Sequence, residues 1–376
     1  MFSRRASRDQ APNAIAAWLK HTPRPRFDLT SSNPTTVGLE YPEALLGALL
    51  SAQARSLTYQ PESFGSWTAR EALARIVGGS AADLLLTAST SEAYGFLFKL
   101  LCDPGDAVLI PAPSYPLFEH LAELEGVQAL CYRVAYDGAW HVDLDSVRRA
   151  VTPQTRAIVV VSPNNPTGHY LSQHDLDALA ALGLPLICDE VFAEFPLEPA
   201  RRPTLRAPDD CLLFRLDGLS KRAGSPQLKL AWTQLVGPEP RRRQARERLE
   251  LIADTFLSVA TPIQAALPEL LELAPSLVEI IAARCRANLA TLTRAVESSP
   301  VTLLRPQAGW SAVLHLPAVL PEEQLVLGLL REEELLVQPG FFYDFEKEPY
   351  AIVSLLTEPR VLEPGAARLV EHVTRL

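Results

Sequence analysis

Apolar residues in this chain follow two alternating rhythms. Short runs such as Leu84-Leu85-Leu86, Ala107-Val108-Leu109-Ile110, Ala157-Ile158-Val159-Val160-Val161 and Leu212-Leu213-Phe214 carry no polar interruption, and a mixed run follows at Leu230 to Val236. Between them, near 67 to 78 and 91 to 101, apolar positions recur at helical spacing. Short unbroken runs suit strands buried on both faces, and the periodic stretches suit helices that cover them. Their alternation predicts an α/β fold around a mostly parallel sheet. After Val236 helical spacing dominates to about residue 300. Ser276 to Glu297, with Leu277, Ile280, Ile281 and Leu289 on one stripe, reads as one helix bridging two domains.

The ends differ from the middle. Pro23, Pro25, Pro34 and Pro42 rule out a long helix at the start, which reads as an arm and a loop. Thr302-Leu303-Leu304, Ala312 to Leu316, Leu335-Leu336-Val337 and Ala351 to Leu355 are strand candidates for a smaller α/β unit. The expected division is residues 1–42 as an arm joining the small domain, 43–275 as a large domain, and 276–376 as the small domain.

Composition narrows the function. A chain of 376 residues with 48% apolar residues can bury a large core. A net charge of −9 argues against a nucleic-acid surface, and Arg241-Arg242-Arg243 reads as a solvated helix face. Cys102, Cys131, Cys188, Cys211 and Cys285 lack metal-binding spacing and read as reduced and mostly buried. Arg4-Arg5 is followed by no apolar stretch of signal length, and no run approaches the roughly 18 residues of a membrane span, so a cytoplasmic protein without a membrane partner is expected.

Candidate chemistry collects where strands end. In an open α/β sheet ligands bind beyond the carboxyl ends of the strands. Asn165-Pro166-Thr167-Gly168 follows the run ending at Val161, Asp189-Glu190-Val191-Phe192 follows Cys188, and Leu219-Ser220-Lys221 follows Leu216. Lys221 is one of five lysines against thirty arginines. A buried lysine amine can be neutral enough to form a Schiff base and carry a proton. Asp189 could hold a pyridine nitrogen protonated or cap a helix. Asn165 could address a phenolic oxygen or serve only a turn. Ser89-Thr90-Ser91, ahead of a helix beginning near Glu92, suits a phosphate or a capping box. Tyr115 could stack on a flat ring or belong to the core. Together these groups point to pyridoxal phosphate.

In this order the motifs resemble the class I/II aminotransferases, fold-type I pyridoxal-phosphate enzymes, from Leu29 to Ser354. The resemblance implies Lys221 as the Schiff-base residue, Asp189 at the pyridine nitrogen, Asn165 at the phenolic oxygen and Tyr115 on the ring. Ser89, Thr90, Ser91 and Ser220 would surround the phosphate. Ser32, Asn33 and Asn165 would meet the substrate. It also implies a homodimer in which Tyr59 reaches the partner's cofactor.

The departures bear on substrate. Lys229 stands where relatives carry a phosphate-binding arginine, Gly218 where many carry a hydroxyl residue, and Phe192 where many carry a tyrosine. Ile352 replaces the arginine that grips the α-carboxylate. Three readings follow: another cation such as Arg24, Arg26 or Lys347 takes over; the substrate is an amine or ω-amino compound; or the strand is shifted in register. The expected activity is amino transfer between an amino acid or amine and a keto acid. A lyase, decarboxylase or synthase of the same fold and a non-catalytic ligand-binding relative stay open.

Overall fold

A computed structural model describes residues 3–6, 12–22, 25–197, 202–347 and 349–376. The strands, in chain order, are β1 (Phe27–Asp28), β2 (Leu84–Thr87), β3 (Ala107–Ala112), β4 (Gln128–Tyr136), β5 (Trp140–Val142), β6 (Thr155–Val161), β7 (Leu186–Asp189), β8 (Leu213–Gly218) and β9 (Ala231–Val236), followed by β10 (Thr302–Leu304), β11 (Ser311–His315), β12 (Leu335–Leu336), β13 (Gln338–Pro339) and β14 (Tyr350–Ser354). Eight of them form one sheet in the order β2-β9-β8-β7-β6-β3-β4-β5. Its centre, β4 to β8, is parallel, while β5, β9 and β2 each pair antiparallel with a neighbour.

Burial on both faces explains the unbroken apolar runs. Ala157, Val159 and Val161 of β6 pack with Phe98 and Leu249 on one side. Ile158 and Val160 pack with Leu176 and Leu179 on the other. Neither face meets water, so no polar alternation is needed.

A second sheet, β10-β11-β14-β13, is antiparallel, and β1 pairs in parallel with β12. The two sheets are linked by a helix longer than the periodicity indicates: it runs from Thr261 to Val296 and contains Pro268 and Pro275. Up to Leu277 its buried residues pack with the helices Glu43–Ala54 and Trp67–Val77. From Ile281 onward they pack under the second sheet. The helix thus changes cores within about one turn.

Other expectations need adjustment. The arm contains an eight-residue helix, Ala14–His21, started by the Asn13 side chain accepting from the Ala16 amide at 2.8 Å. Arg241 and Arg243 are exposed, but Arg242 is only partly so, its guanidinium pairing with buried Asp83. Cys131 is exposed and Cys102 half-buried, while the other three cysteines are buried; all five are free thiols. Among the described residues no helix is long and apolar enough to cross a membrane, and no cluster of side chains could hold a metal ion.

Candidate active site

Strand β8 ends at Gly218 and turns into the short helix Leu219–Arg222. Nothing larger than glycine fits at the turn: a Cβ on Gly218 would lie 2.9 Å from that of Ala231 on β9. The missing hydroxyl therefore has a steric cause. The Leu219 amide donates to the Leu230 carbonyl at 2.9 Å and anchors the helix to β9. Lys221 projects from it towards two rings, with Nζ 4.7 Å from the Trp310 centroid and 5.2 Å from that of Phe192. Burial pushes the Lys221 amine down to about 8, and the Asp189 charge pulls it partly back.

Asp189 closes β7 and is buried. Its Oδ1 accepts from the Val191 amide at 3.2 Å and its Oδ2 from the Tyr94 hydroxyl at 3.1 Å. Burial raises the carboxyl to about 6, against the pull of those two donors. Tyr94 comes from the helix Thr90–Leu101, and burial, with the Asp189 charge beside it, pushes its hydroxyl well above the usual tyrosine range. Tyr115 is 37% exposed and so is not a core residue; burial and the Asp189 charge raise it too.

The Asn165 turn is built from beneath. Buried Asn164 accepts from Ser114 Oγ at 2.7 Å and donates to Thr167 Oγ1 at 2.9 Å, which lies 2.8 Å from His169 Nδ1. Burial lowers His169 to about 4, so the network carries no charge at neutral pH. Gly168, at φ +72°, lets the turn dock closely on residues 306–308, whose Gln307 and Ala308 amides donate to the Gly168 carbonyl at 3.1 and 2.8 Å. That docking brings Ser311 to Asn165, Oγ to Oδ1 at 3.3 Å, beside Trp310.

Ser89 caps the helix Thr90–Leu101, which begins two residues earlier than expected; its Oγ accepts from the Glu92 amide at 3.1 Å. The Ser89 side chain thus caps the helix, and Thr90 and Ser91 stand in the first turn. Ser220 immediately precedes Lys221.

The remaining expected residues are exposed. Lys229 is exposed in a left-handed conformation two residues before β9 and makes no ion pair among the described residues. Tyr59 is 74% exposed and lines a small cavity with Leu86 and Ser258. Ser32 and Asn33 are exposed, and Asn33 Oδ1 is occupied by the amide and hydroxyl of Thr35.

Ile352 is buried and pairs with Val313 and Gln338, while Ser354 pairs with Ser311. Cross-strand partners share a face, so Ile352 and Gln338 lie on the face that carries Ser311 towards Asn165. Beside Ile352 the Tyr343 hydroxyl donates to Gln338 Oε1, and the Gln338 amide nitrogen has no acceptor among the described residues. The suggested replacement cations do not gather there. Arg24 lies outside the described residues, Arg26 stacks over Phe27 at 5.2 Å, and Lys347 is exposed in a groove with Arg133 and Arg149.

Trp310, Tyr94, Ser311 and the Gln338–Tyr343 pair were absent from the sequence reading. None follows a strand-end motif, and Trp310, one of five tryptophans just after Ala308-Gly309, offered the only visible signal. Alternating charges also run Arg215–Glu190–Arg202–Glu194–Arg222–Asp217 around a cavity of about 310 Å³. Glu190 and Arg222 directly follow Asp189 and Lys221, so this chain of ion pairs ties the two site segments together.

Comparisons with known proteins bear on the family and the fold. Residues 25–351 match the family model for aminotransferase class I and II. The glutamate-pyruvate aminotransferase AlaA of Haemophilus influenzae is 27% identical over 93% of this chain and 89% of its own. The alanine aminotransferase of Mycobacterium tuberculosis is 29% identical over 91% and 84%. Among solved structures, a single mutant of Thermus thermophilus aspartate aminotransferase superposes with a TM-score of 0.86 at 23% identity, covering 99% of each chain. An alanine aminotransferase from Pyrococcus furiosus gives 0.82 at 24% identity, covering 93% and 92%. With the family match spanning most of the chain and ending one residue before Ile352, the protein belongs to the class I and II aminotransferases, a family whose amino transfer depends on pyridoxal phosphate.

Proposed function

We propose that Lys221 is the attachment point for pyridoxal phosphate and that the donor is gripped without a cation at residue 352. The cofactor requires a lysine amine that deprotonates near working pH, an anion for its ring nitrogen and donors for its phosphate. The amine of Lys221 is lowered to about 8, and the buried Asp189 carboxylate has no ion-pair partner among the described residues. Both features fit this cofactor. When bound, it draws electrons away from the donor's α-carbon and makes that C–H bond acidic.

The chain's own residues supply the rest. Asp189, oriented by Tyr94 and the Val191 amide, holds a proton on the ring nitrogen. Lys221 would take the proton from the donor's α-carbon and pass it on to the cofactor's aldehyde carbon. Asn165 and Tyr115 orient the ring; Ser89, Thr90, Ser91 and Ser220 receive the phosphate, with Lys229 adding a point charge. Residues 43–275 and 276–376 act as the cofactor and closing units, hinged along the helix Thr261–Val296.

The relatives named for alanine and for glutamate and pyruvate point to small amino and keto acids. Ile352 is the observation that argues for a different donor grip. A charge-assisted hydrogen bond contributes about 1.5–3 kcal/mol, and Gln338 with Tyr343 provides only neutral groups. The site therefore favours donors in which that position carries an amide, a hydroxyl or no carboxylate. The test is half-reaction spectroscopy: loaded enzyme is mixed with amines, amino amides and α-amino acids while cofactor absorbance is followed. An accepted donor bleaches the band and a keto acid restores it. Product release without bleaching would instead indicate a lyase.

We also infer a two-fold dimer in which Tyr59 reaches the partner's site. Leu46, Leu50, Leu57, Tyr59 and Trp67 all expose apolar surface along one stretch of chain, as an interface requires.

A further inference from the structure

Lys221 faces rings where a lysine ordinarily faces oxygen. Its amine has no hydrogen-bond acceptor and no ion-pair partner among the described residues, but it lies over Trp310 at 4.7 Å and over Phe192 at 5.2 Å. The two rings meet edge to face at 73° with centroids 5.3 Å apart, and Phe195 braces Trp310 at 5.1 Å and 72°. All three are buried. The Trp310 backbone is fixed as well, its carbonyl accepting from the Leu355 amide at 2.7 Å. Two nearly perpendicular rings thus present their faces to one amine.

Amino transfer would use that amine twice. With the cofactor bound to draw off the C–H electron pair, Lys221 would take a proton from the donor's α-carbon and then deliver the same proton to the cofactor. Between the two events it would be an ammonium ion in a desolvated site. Ring faces attract such a cation, most strongly when water is excluded. We propose that Trp310, together with Phe192, is a positioning residue that holds the Lys221 ammonium between its two proton transfers. The proposal rests on the reading of Lys221 as proton carrier.

Few other charges act on this amine. Asp189 faces it from the end of β7, Asn165 and Ser311 are neutral, and the neighbouring Arg222 is paired with Asp217 and Glu194. The rings and Asp189 favour the ammonium, and burial opposes both.

Having only five lysines makes the proposal measurable in the full-length chain. Lys221 acetylation by acetic anhydride is followed against pH in the cofactor-free protein by peptide mass spectrometry, with exposed Lys20 and Lys347 as references. Trp310→Leu should lower the Lys221 midpoint by about one pH unit, and Trp310→Phe should retain most of it. If Trp310→Leu does not fold, Phe192→Leu removes the other ring and must show the same fall. In loaded enzyme, Trp310→Leu should also raise the primary isotope effect with an α-deuterated donor. A midpoint that is unchanged, or that rises because water enters, overturns the proposal. Because the labelling uses neither cofactor nor donor, failure of the aminotransferase reading would appear separately, as absent attachment at Lys221 with the shift intact.

Discussion

Asp189 shows how a candidate site residue can work against the fold that carries it. Burial holds its carboxyl near 6 against an ordinary value of 3.8, so the folded chain prefers the protonated form. Its contribution to stability is fully present below pH 3.8 and is lost as pH rises through 6. Asp189→Asn should therefore stabilise the cofactor-free protein at pH 8 by about 2–3 kcal/mol, with the gain vanishing towards pH 4, and lower amino transfer by several orders of magnitude. Thermal unfolding across pH checks the first part; a loss of stability at pH 8 would show that the charge is better solvated than its burial indicates. As candidate site residues Lys221 and Asp189 stood out in the sequence because Asp189 ends a buried strand and Lys221 comes three residues after another. Tyr94, which orients Asp189, was not, because its position depends on how a helix packs across the sheet.

At the scale of elements, the Asn165 turn depends on its docking with the loop before β11. A Cβ on Gly168 would lie 2.4 Å from the Ala308 carbonyl oxygen and 2.7 Å from Pro306 Cβ, and its φ of +72° is costly for alanine. Gly168→Ala should cost about 2–4 kcal/mol in denaturant unfolding and loosen Ser311 from Asn165. A change within about 0.5 kcal/mol would mean that the turn can shift freely. The buried strands were plain in the sequence because two-sided burial leaves no polar alternation. The linking helix was only half visible: Pro268 and Pro275 interrupt its pattern, yet packing against the helices Glu43–Ala54 and Trp67–Val77 carries it through both. Trp310 and Ser311 reach the site only through this long-range docking, which local periodicity does not encode.

At the scale of the molecule, the site is assembled from both sheets: Lys221, Asp189 and Asn165 come with the larger, Trp310, Ser311 and Ile352 with the smaller. The exposed apolar stretch around Tyr59 predicts a dimer of 41.2 kDa chains, and Tyr59→Phe should weaken cofactor retention without altering solution mass. Light scattering that gives a monomer at micromolar concentration would remove Tyr59 from the site. The proposed site joins an intact lysine machinery to a missing carboxylate grip. It is tested most directly by half-reaction kcat/KM for an α-amino acid and its matching α-amino amide, in the wild-type enzyme and in Ile352→Arg. Both donors should bleach the wild-type cofactor band, with the amide at least equal to the acid, and Ile352→Arg should shift preference towards the acid by about one to two orders of magnitude. A wild-type enzyme that strongly prefers the acid and does not respond to Ile352→Arg would contradict it.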